Sequence, residues 1–248
     1  MRVSIITVAY NSAATIEETI KSVLSQEDVE IEYIIIDGGS TDNTPQIIEC
    51  FKEKINIIVS EPDRGIYDAM NKGIRLASGD IIGVLNSDDI YADNQVIRDV
   101  IQQFSSNPNL DILYGNLVYV KKDNTDKVVR TWRSKSYFDT FFENGNVPPH
   151  PSLFVSSKVY EIAGSFDLQY NLAADYEFML RVLKKSNFQS KYINRLIVKM
   201  RLGGATNRSL TNIINGNKEI LQAWVNNGHK APLTLMPLRF IKRVIQFF

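Results

Sequence analysis

The first half of the chain alternates short apolar runs with segments of helical periodicity. Four apolar runs rich in β-branched residues predict strands at residues 3–8, 33–37, 56–60 and 81–85. Between these runs, helical patterns begin near Ile16, at Thr44 and at Tyr67. We expect Thr44 to cap its helix, with Pro45 in the first turn. Apolar strands separated by helices are typical of a mostly parallel sheet that is covered on both faces.

The second half carries shorter patterns. Strand candidates are residues 112–114, 117–120, 128–132 and 197–200, and helix candidates are residues 176–184 and 209–226. We expect the polar turn 121–127 to join two of these strands, which favours a mixed sheet over another parallel crossover. The fold class is therefore α/β, with a Rossmann-like, mixed but mostly parallel sheet flanked by helices and followed by a C-terminal helical extension.

Composition narrows the classes of function. The chain has 248 residues, 28 basic and 28 acidic side chains, and a formal net charge of zero, so we expect no nucleic-acid partner. The single cysteine, Cys50, excludes an internal disulfide, a Cys-rich zinc module and an iron–sulfur cluster. The N-terminus resembles a strand rather than a secretion signal, and no run of about 18 apolar residues occurs. We therefore expect a cytoplasmic protein without a transmembrane span.

An acidic segment follows the fourth predicted strand, with the sequence Asn86-Ser87-Asp88-Asp89. Adjacent carboxylates at a strand end repel each other unless a cation lies between them. Oxygen ligands without cysteine favour Mg²⁺ or Mn²⁺ that also holds a phosphate. The alternative is a solvated turn before a helix that Asp93 or Asn94 caps.

A second polar segment, Asp37-Gly38-Gly39-Ser40-Thr41-Asp42, follows the second strand. Its glycines allow close approach of a ligand to the backbone, although a simple tight turn would have the same composition. It is not a dinucleotide fingerprint, because Ala9-Tyr10-Asn11-Ser12 stands after the first strand where glycines are required. Three strands ending in such segments at one sheet edge favour a nucleotide site.

In their order and spacing, these segments and the later Ala174-Asp175-Tyr176-Glu177 resemble inverting glycosyltransferases of family 2, which have the GT-A fold. The match covers about residues 1–205, which we expect to form the GT-A domain, and leaves residues 206–248 as a helical extension. Residues 63–73, 148–152 and Gly203-Gly204 further resemble the bacterial branch that extends O-antigen or capsule repeat units on a lipid diphosphate.

The resemblance implies a role for each matching position. Tyr10 and Asp37 would line the pocket for the base and ribose, and Asp88 would bind the metal with weaker help from Asn86 or Asp89. Two positions depart from the family pattern: Asn86 replaces the first Asp of Asp-x-Asp, and Gly38 replaces an Asp that contacts the base in many relatives. The remaining contacts to the nucleotide sugar would come from Asn71, Asn86, Ser87, His150, Gly203 and Gly204.

Asp175 matches the catalytic base of the family, although Ala174 precedes it where a Glu is common. Inversion by direct displacement needs one carboxylate to take the proton of the acceptor hydroxyl. Each functional interpretation has a structural alternative: Asp175 as a helix cap, His150 as a packed side chain, and Gly203-Gly204 with Arg201 and Arg208 as a surface turn rather than a loop over the diphosphate.

The C-terminal segment is basic and amphipathic. Residues 220–248 contain no Asp or Glu but include Lys230, Arg239, Lys242 and Arg243 among apolar positions. Such a helix can lie on an anionic membrane surface, or it can dock on the core with its cations outward. We expect peripheral contact at the inner face of the cytoplasmic membrane.

The sequence thus predicts an inverting glycosyltransferase that uses Mn²⁺ or Mg²⁺. It would move a hexose, galactose or glucose, from a UDP-sugar to a sugar hydroxyl, with an N-acetylhexosamine on a polyprenyl diphosphate carrier as the expected acceptor. Two other interpretations stay open: a non-catalytic protein that binds nucleotide sugars or glycans, and a nucleotidyltransferase, which would release pyrophosphate instead of a nucleoside diphosphate.

Overall fold

The computed structural model describes residues 1–186, 188–203 and 210–247. These residues form a nine-stranded mixed sheet, whose strands are β1 Val3–Ala9, β2 Ile31–Asp37, β3 Ile57–Ser60, β4 Ile81–Asn86, β5 Asp89–Tyr91, β6 Ile112–Lys121, β7 Asn124–Trp132, β8 Leu153–Ser156 and β9 Ser190–Arg201. The α-helices are α1 Ile16–Leu24, α2 Thr44–Glu49, α3 Ile66–Leu76, α4 Val96–Ser106, α5 Ser157–Ala163, α6 Ala174–Leu180, α7 Leu210–Asn226 and α8 Leu235–Ile245.

The strand order is β3-β2-β1-β4-β8-β6-β9-β5, and β7 pairs with β6 off this path. β3, β2, β1 and β4 are parallel, whereas β8 runs antiparallel to both β4 and β6. The parallel pair β6 and β9 continues the sheet, and β5 runs antiparallel to β9. The predicted α/β class with a mixed, mostly parallel sheet is confirmed.

Helices cover both faces of the sheet, because alternate residues of the central strands face opposite sides. Ile6 and Val8 of β1 join a hydrophobic cluster with α3, α6 and α7. Val3 and Ile5 of the same strand join a second cluster with α1 and α4. All seven residues of β1 are buried, which explains why its sequence is apolar almost throughout. In the part of the chain that the structure describes, every helix is too short or too polar to span a bilayer.

The second half differs from the prediction in its strand lengths. The two candidates at 112–114 and 117–120 form one strand, β6, whose pairing with β9 shifts register around Gly115. A Cβ at Gly115 would lie 2.7 Å from the carbonyl oxygen of Arg195, so this glycine permits the close approach of the two strands. The predicted turn 121–127 was too long, since β7 already begins at Asn124.

Two helix predictions also need correction. Thr44 lies inside α2 rather than capping it, and its hydroxyl accepts a hydrogen bond from the backbone N–H of Ser12 at 2.7 Å. The predicted helix 176–184 is α-helical only to Leu180 and continues as a π-helical turn over Arg181–Lys185. The short strands β5 and β8 and the helices α4 and α5 were not predicted.

Gly73 tests how closely α3 packs on β1. A Cβ at this position would lie 2.3 Å from Cγ2 of the fully buried Ile6. We expect Gly73→Ala to lower the free energy of unfolding by about 1–3 kcal/mol, because overpacking outweighs the helix-propensity gain of about 1 kcal/mol. Urea denaturation measures the change. The exposed Arg75→Ala in the same helix should stay within about 0.5 kcal/mol of the wild type, and a more stable Gly73→Ala protein would contradict the packing described.

Candidate active site

The carboxyl ends of β1, β2 and β4 open into a cavity of about 1620 Å³. Parallel α/β sheets bind ligands at this edge. The cavity brings together most of the residues that the sequence analysis selected: Tyr10, Asn86, Ser87, Asp88, His150, Asp175 and Gly203. Asp37 and Asn71 do not line it, and Gly204 lies outside the described residues together with Arg208.

The loops after β1 and β2 are joined by side-chain hydrogen bonds. Oδ1 of Asn11 accepts from the backbone N–H groups of Thr41 and Asp42, at 2.9 and 3.3 Å. The backbone N–H of Asn11 donates to Oγ of Ser40, and Asn11 itself takes the left-handed conformation with φ 48°. These bonds fix the neighbouring Tyr10, whose side chain is 64% exposed and forms a flat aromatic surface at the cavity.

Asp37 is fully buried and supports the wall instead of contacting the cavity. Its carboxylate accepts hydrogen bonds from Oγ of Ser40 at 2.5 Å and from Oγ of Ser60 at 2.6 Å. Each oxygen is therefore used within the protein. Asp37 is predicted to line the pocket for the base and ribose, but it does not line the cavity, and its carboxylate instead holds the hydroxyls of Ser40 and Ser60.

Asp63 fills the space beside Gly38. A Cβ on Gly38 would lie 2.3 Å from Oδ2 of Asp63, so this carboxylate stands where a side chain at position 38 would project. Its other oxygen, Oδ1, accepts a hydrogen bond from the backbone N–H of Gly65 at 2.8 Å. Both Gly38 and Asp63 line the cavity. The missing carboxylate at position 38 is thus replaced in space by one from a loop 25 residues later.

Asn71 has a structural role. Its side-chain amide donates to the carbonyl of Phe166 at 2.8 Å and accepts from the N–H of the same residue at 2.9 Å. The side chain is buried within α3 and satisfied on both sides, so it does not reach the cavity. Asp68, on the same helix, accepts from the backbone N–H of Arg64 and stabilises the start of α3.

The side chains of the acidic segment after β4 point in two directions. Asn86, Ser87 and Asp88 line the cavity, whereas Asp89 begins β5 with its side chain fully buried. Burial, and then the charge of Asp88, raise the pKa of Asp89 well above its usual value. The Asp89 carboxyl accepts a hydrogen bond from the backbone N–H of Arg201 at 3.3 Å. Of the two adjacent acids, only Asp88 lines the cavity.

The residues at this edge fit a hard divalent cation. Oδ1 of Asn86 is buried without a hydrogen-bond partner, and it lies two residues from the carboxylate of Asp88 in the same wall. Mg²⁺ and Mn²⁺ are commonly held by one or two protein oxygens together with phosphate oxygens of a substrate. Among the described residues no group of three or more His, Cys, Asp or Glu side chains could hold a metal by itself. Water or phosphate oxygens would complete the coordination.

Arg201 supports the acidic segment from behind. Its Nη1 donates to the backbone carbonyl of Asp88 at 2.7 Å, and its Nη2 forms an ion pair with Glu18. The side chain is almost fully buried, so this arginine is part of the wall and not a free cation of a surface turn. Gly203, with φ +123°, follows at the cavity edge.

Asp175 lies in the first turn of α6 and faces the cavity. The hydroxyl of Tyr67 donates to its Oδ1 at 2.9 Å. Burial, and then the charge of Asp175, raise the pKa of Tyr67 well above its usual value, so the phenol keeps its proton and remains a donor. One carboxylate oxygen of Asp175 is thus oriented by the protein.

Glu219 of α7 holds the segment that leads into α6. Its carboxylate accepts from three consecutive backbone N–H groups, those of Asn171, Leu172 and Ala173, at 3.1, 2.8 and 2.9 Å. Because these donors precede the first turn of α6, Glu219 fixes the direction in which Asp175 points. The structural alternative for Asp175, a helix cap, receives no support, since no side-chain cap bond occurs at this helix start.

His150 lies in the cavity wall with its ring edge-on to Phe166 at 5.5 Å between centroids. Burial lowers its pKa, although the charge of Asp175 opposes this effect. The imidazole is therefore neutral at pH 7, and it can donate or accept a hydrogen bond without carrying a charge.

Comparison with known proteins identifies the family to which this sequence belongs. The model of "Glycosyl transferase family 2" matches residues 4–158. The chain belongs to that family. An uncharacterized glycosyltransferase of Mycobacterium tuberculosis is 33% identical over 184 residues, which are 72% of this chain and 68% of that protein. A PGL/p-HBAD biosynthesis glycosyltransferase of Mycobacterium bovis is 26% identical over 208 residues, or 82% and 78% of the two chains.

Solved structures share the fold of this glycosyltransferase. S. aureus TarS 1–349 in complex with UDP-GlcNAc superposes with a TM-score of 0.70 at 18% identity, over 96% of this chain and 69% of that one. The mannosyltransferase PcManGT from Pyrobaculum calidifontis, in complex with GDP-Man and Mn²⁺, gives 0.66 at 17% identity, over 99% and 69%. The fold is thus that of the GT-A glycosyltransferases, as the sequence predicts.

Three residues of the site were missed or left without a specific role. Asp63 belongs to residues 63–73, for which the resemblance gives no individual role, and nothing in the pattern shows that it would occupy the space beside Gly38. Tyr67 and Glu219 hold Asp175 and its helix, but their partners lie 108 and 46 to 48 residues away in sequence. A pattern of neighbouring residues cannot reveal contacts of that range.

Glu219→Gln tests the support of α6. The substitution removes the charge and one of the two acceptor oxygens, so we expect the free energy of unfolding to fall by about 1–2 kcal/mol. Urea denaturation measures it, with Glu161→Gln on the exposed surface of α5 as the matched control. Equal stability of the two variants would show that the three hydrogen bonds contribute nothing.

Proposed function

We propose that this glycosyltransferase is an inverting, metal-dependent enzyme that transfers a hexose from a UDP-sugar to a sugar hydroxyl. The observation that carries the proposal is a single cavity lined by a metal-competent pair, Asn86 and Asp88, and by an oriented carboxylate, Asp175. Support for the donor class comes from relatives of the same fold that were solved with UDP-GlcNAc and with GDP-Man and Mn²⁺.

The donor would lie along the ends of β1, β2 and β4. The exposed ring of Tyr10 can stack on the base, and the carboxylate of Asp63 can accept an N–H of that base. Asp88 and Asn86 would hold Mn²⁺ or Mg²⁺, which when bound offsets the charge of the departing diphosphate. Ser87, the neutral His150 and the backbone of Gly203 border the same space and are proposed contacts to the diphosphate or sugar.

Asp175 is the proposed base. Its Oδ1 is held by the hydroxyl of Tyr67, so the carboxylate keeps a fixed direction toward the cavity. A base that is held in position removes the proton of the acceptor hydroxyl while that oxygen attacks the anomeric carbon from the face opposite the nucleotide. One carboxylate is enough for this step, which agrees with Ala174 standing where a second acid is common.

The proposed acceptor is an N-acetylhexosamine on a polyprenyl diphosphate, in the synthesis of a surface polysaccharide such as O-antigen or capsule. Support comes from the resemblance of residues 63–73 and 148–152 to the bacterial branch that builds such polymers. α8 adds support for peripheral contact with the inner face of the membrane, because Phe240, Ile241 and Ile245 are more than half exposed beside basic residues.

Asp175→Asn tests the catalytic proposal. The amide keeps the shape of the side chain but cannot take the proton, so transfer should fall at least ~100-fold while UDP binding stays near the wild-type value. The assay measures release of nucleoside diphosphate and the mass of the product, with Mn²⁺ or Mg²⁺ and a panel of nucleotide sugars. Pyrophosphate release would instead indicate a nucleotidyltransferase. The exposed Asp28→Asn is the matched control, and near-normal turnover of Asp175→Asn would refute the assignment.

Asp63→Asn tests base recognition. A carboxylate accepts the N3–H of uracil but only repels the N3 lone pair of cytosine, whereas an amide can donate to the latter. We expect the Kd for UDP to rise about tenfold, the equivalent of one charge-assisted hydrogen bond, and the preference for UDP over CDP to narrow. Calorimetric titration with both nucleotides measures this, and an unchanged ratio would exclude contact between Asp63 and the base.

A further inference from the structure

One part of the cavity wall is strongly basic and is not used by the proposed donor site. It is formed by the end of β7 with the residues that follow and by α8, and its cations are Arg130, Arg133, Lys135, Arg239, Lys242 and Arg243. We call these six residues the basic wall. Residues 130–135 and 235–247 contain no Asp or Glu, so neither segment supplies its own counter-charge.

Arg130 is a buried cation, and one of its N–H groups has no hydrogen-bond partner. The residue is 6% exposed, and its guanidinium carbon lies 3.6 Å from the centroid of the Tyr119 ring and 5.4 Å from that of Phe247. Its Nε is buried without a hydrogen-bond partner, and no carboxylate of the described residues is within ion-pair distance. Buried guanidinium groups are normally paired with an anion, so this side chain is set up for an anionic ligand.

Arg239 repeats this arrangement nearer to Asp175. Its guanidinium lies 4.7 Å from the ring centroid of Tyr176, the residue that follows Asp175, and its Nη1 is also buried without a hydrogen-bond partner. Burial lowers the pKa of Arg239 and of Arg130, and the charge of Arg243 lowers both further. Tyr176 and the carboxylate of Asp175 oppose this effect at Arg239, and Tyr119 opposes it at Arg130. Burial, and then the charge of Lys135, likewise lower the pKa of Lys242. Cations that crowd each other in this way are relieved when an anion binds among them.

α8 is held firmly at the edge of the cavity. A Cβ on Gly145, which has φ +71°, would lie 2.8 Å from the backbone nitrogen of Arg239, so the helix backbone packs directly on this glycine. At the other end, the backbone N–H of Thr131 donates to the carbonyl of Gln246 at 2.9 Å. Arg239, Lys242 and Arg243 are three and four residues apart and therefore share one helix face.

We propose that the basic wall binds a phosphate or diphosphate ester carried by the acceptor, with Arg130 and Arg239 as its main contacts. The proposal rests on the proposed function and assigns, in that same cavity, the residues that bind the phosphate groups of the acceptor. The direction of α8 supports it: Arg239 lies beside the turn that carries Asp175, and the exposed Phe240, Ile241 and Ile245 provide apolar surface for the organic chain of such an ester. Guanidinium groups bind phosphate oxygens through paired N–H donors.

The test uses the full chain with its donor site filled by UDP and Mg²⁺. Calorimetry then measures binding of three probes: farnesyl diphosphate, farnesol and inorganic pyrophosphate. We expect farnesyl diphosphate to bind, farnesol to bind at least about tenfold more weakly, and pyrophosphate to compete with farnesyl diphosphate. Farnesol binding as tightly as its diphosphate would overturn the proposal, because the basic wall would then contribute nothing.

Variants assign the binding to the basic wall. Arg130→Gln and Arg239→Gln should each weaken farnesyl diphosphate about tenfold and leave the Kd for UDP within about twofold. Lys242→Gln should weaken farnesyl diphosphate binding about threefold. Because the side chain of Lys242 is more accessible than that of the buried Arg130, this variant tests the basic wall even if Arg130→Gln fails to fold. Arg98→Gln on α4 is the matched control. Equal loss of UDP affinity in the arginine variants would assign the basic wall to the donor and overturn the proposal.

Vesicles separate the acceptor from the membrane as the source of the phosphate. If vesicles of phosphatidylglycerol bind through Arg130 and Arg239 and farnesyl diphosphate does not, the ligand is a lipid headgroup and the acceptor assignment is wrong. Failure of the proposed function would give a different experimental result. It would appear as absent binding of UDP and UDP-sugars in the wild type, whereas farnesyl diphosphate binding depends only on the basic wall.

Discussion

The site depends on the parallel register of three neighbouring strands. Because Ala9 pairs with Asp37 and Val8 pairs with Asn86, β1, β2 and β4 end at the same level of the sheet. Past these ends the chain turns away, and N–H groups further along the loops, such as those of Thr41 and Asp42, need partners outside the sheet. Side chains such as that of Asn11 satisfy part of this requirement and fix the loops. The recognition surface for the donor is therefore a consequence of how the sheet ends.

The buried polar groups are of two kinds, those with hydrogen-bond partners within the protein and those without. Asp37 and Asn71 are fully paired within the protein, so they stabilise loops and helix contacts at little cost. Asn86 Oδ1 and Arg130 Nε are buried without partners, and each such atom costs about 1–3 kcal/mol. Both line the cavity, on different walls. Unpartnered buried atoms also occur away from the cavity, as at Ser156 Oγ and His229 Nε2. At the cavity wall, however, a ligand can supply the missing partner, a cation at Asn86 and an anion at Arg130.

The sequence predicts the elements whose signals are local and strong. β1 to β4 and the first three helices follow from apolar runs and helical periodicity, whereas β5 has only three residues and β8 only four. Their pairing is set by β9, β4 and β6, which no local pattern contains. In the site, the acidic segment that contains Asp88 could be selected because it follows a strand, whereas Tyr10 is selected by the family resemblance. A family motif gives the identity of Asn71 but not the direction of its side chain, and Tyr67 reaches Asp175 only through the tertiary fold.

Although the formal net charge is zero, acidic and basic side chains lie on separate walls of one cavity. The acidic side chains of the described residues that line it are Asp63, Asp88 and Asp175, whereas the basic wall comes from β7 and α8. In the proposed scheme, donor and acceptor both carry phosphate, and two unit charges 10 Å apart repel by roughly 1.7 kcal/mol at an effective dielectric constant of 20. A metal at Asp88 and arginines on the other wall would neutralise the two anions separately. The C-terminal helix α8 would then be part of the substrate site, because without its cations the second anion would enter a cavity already occupied by the first.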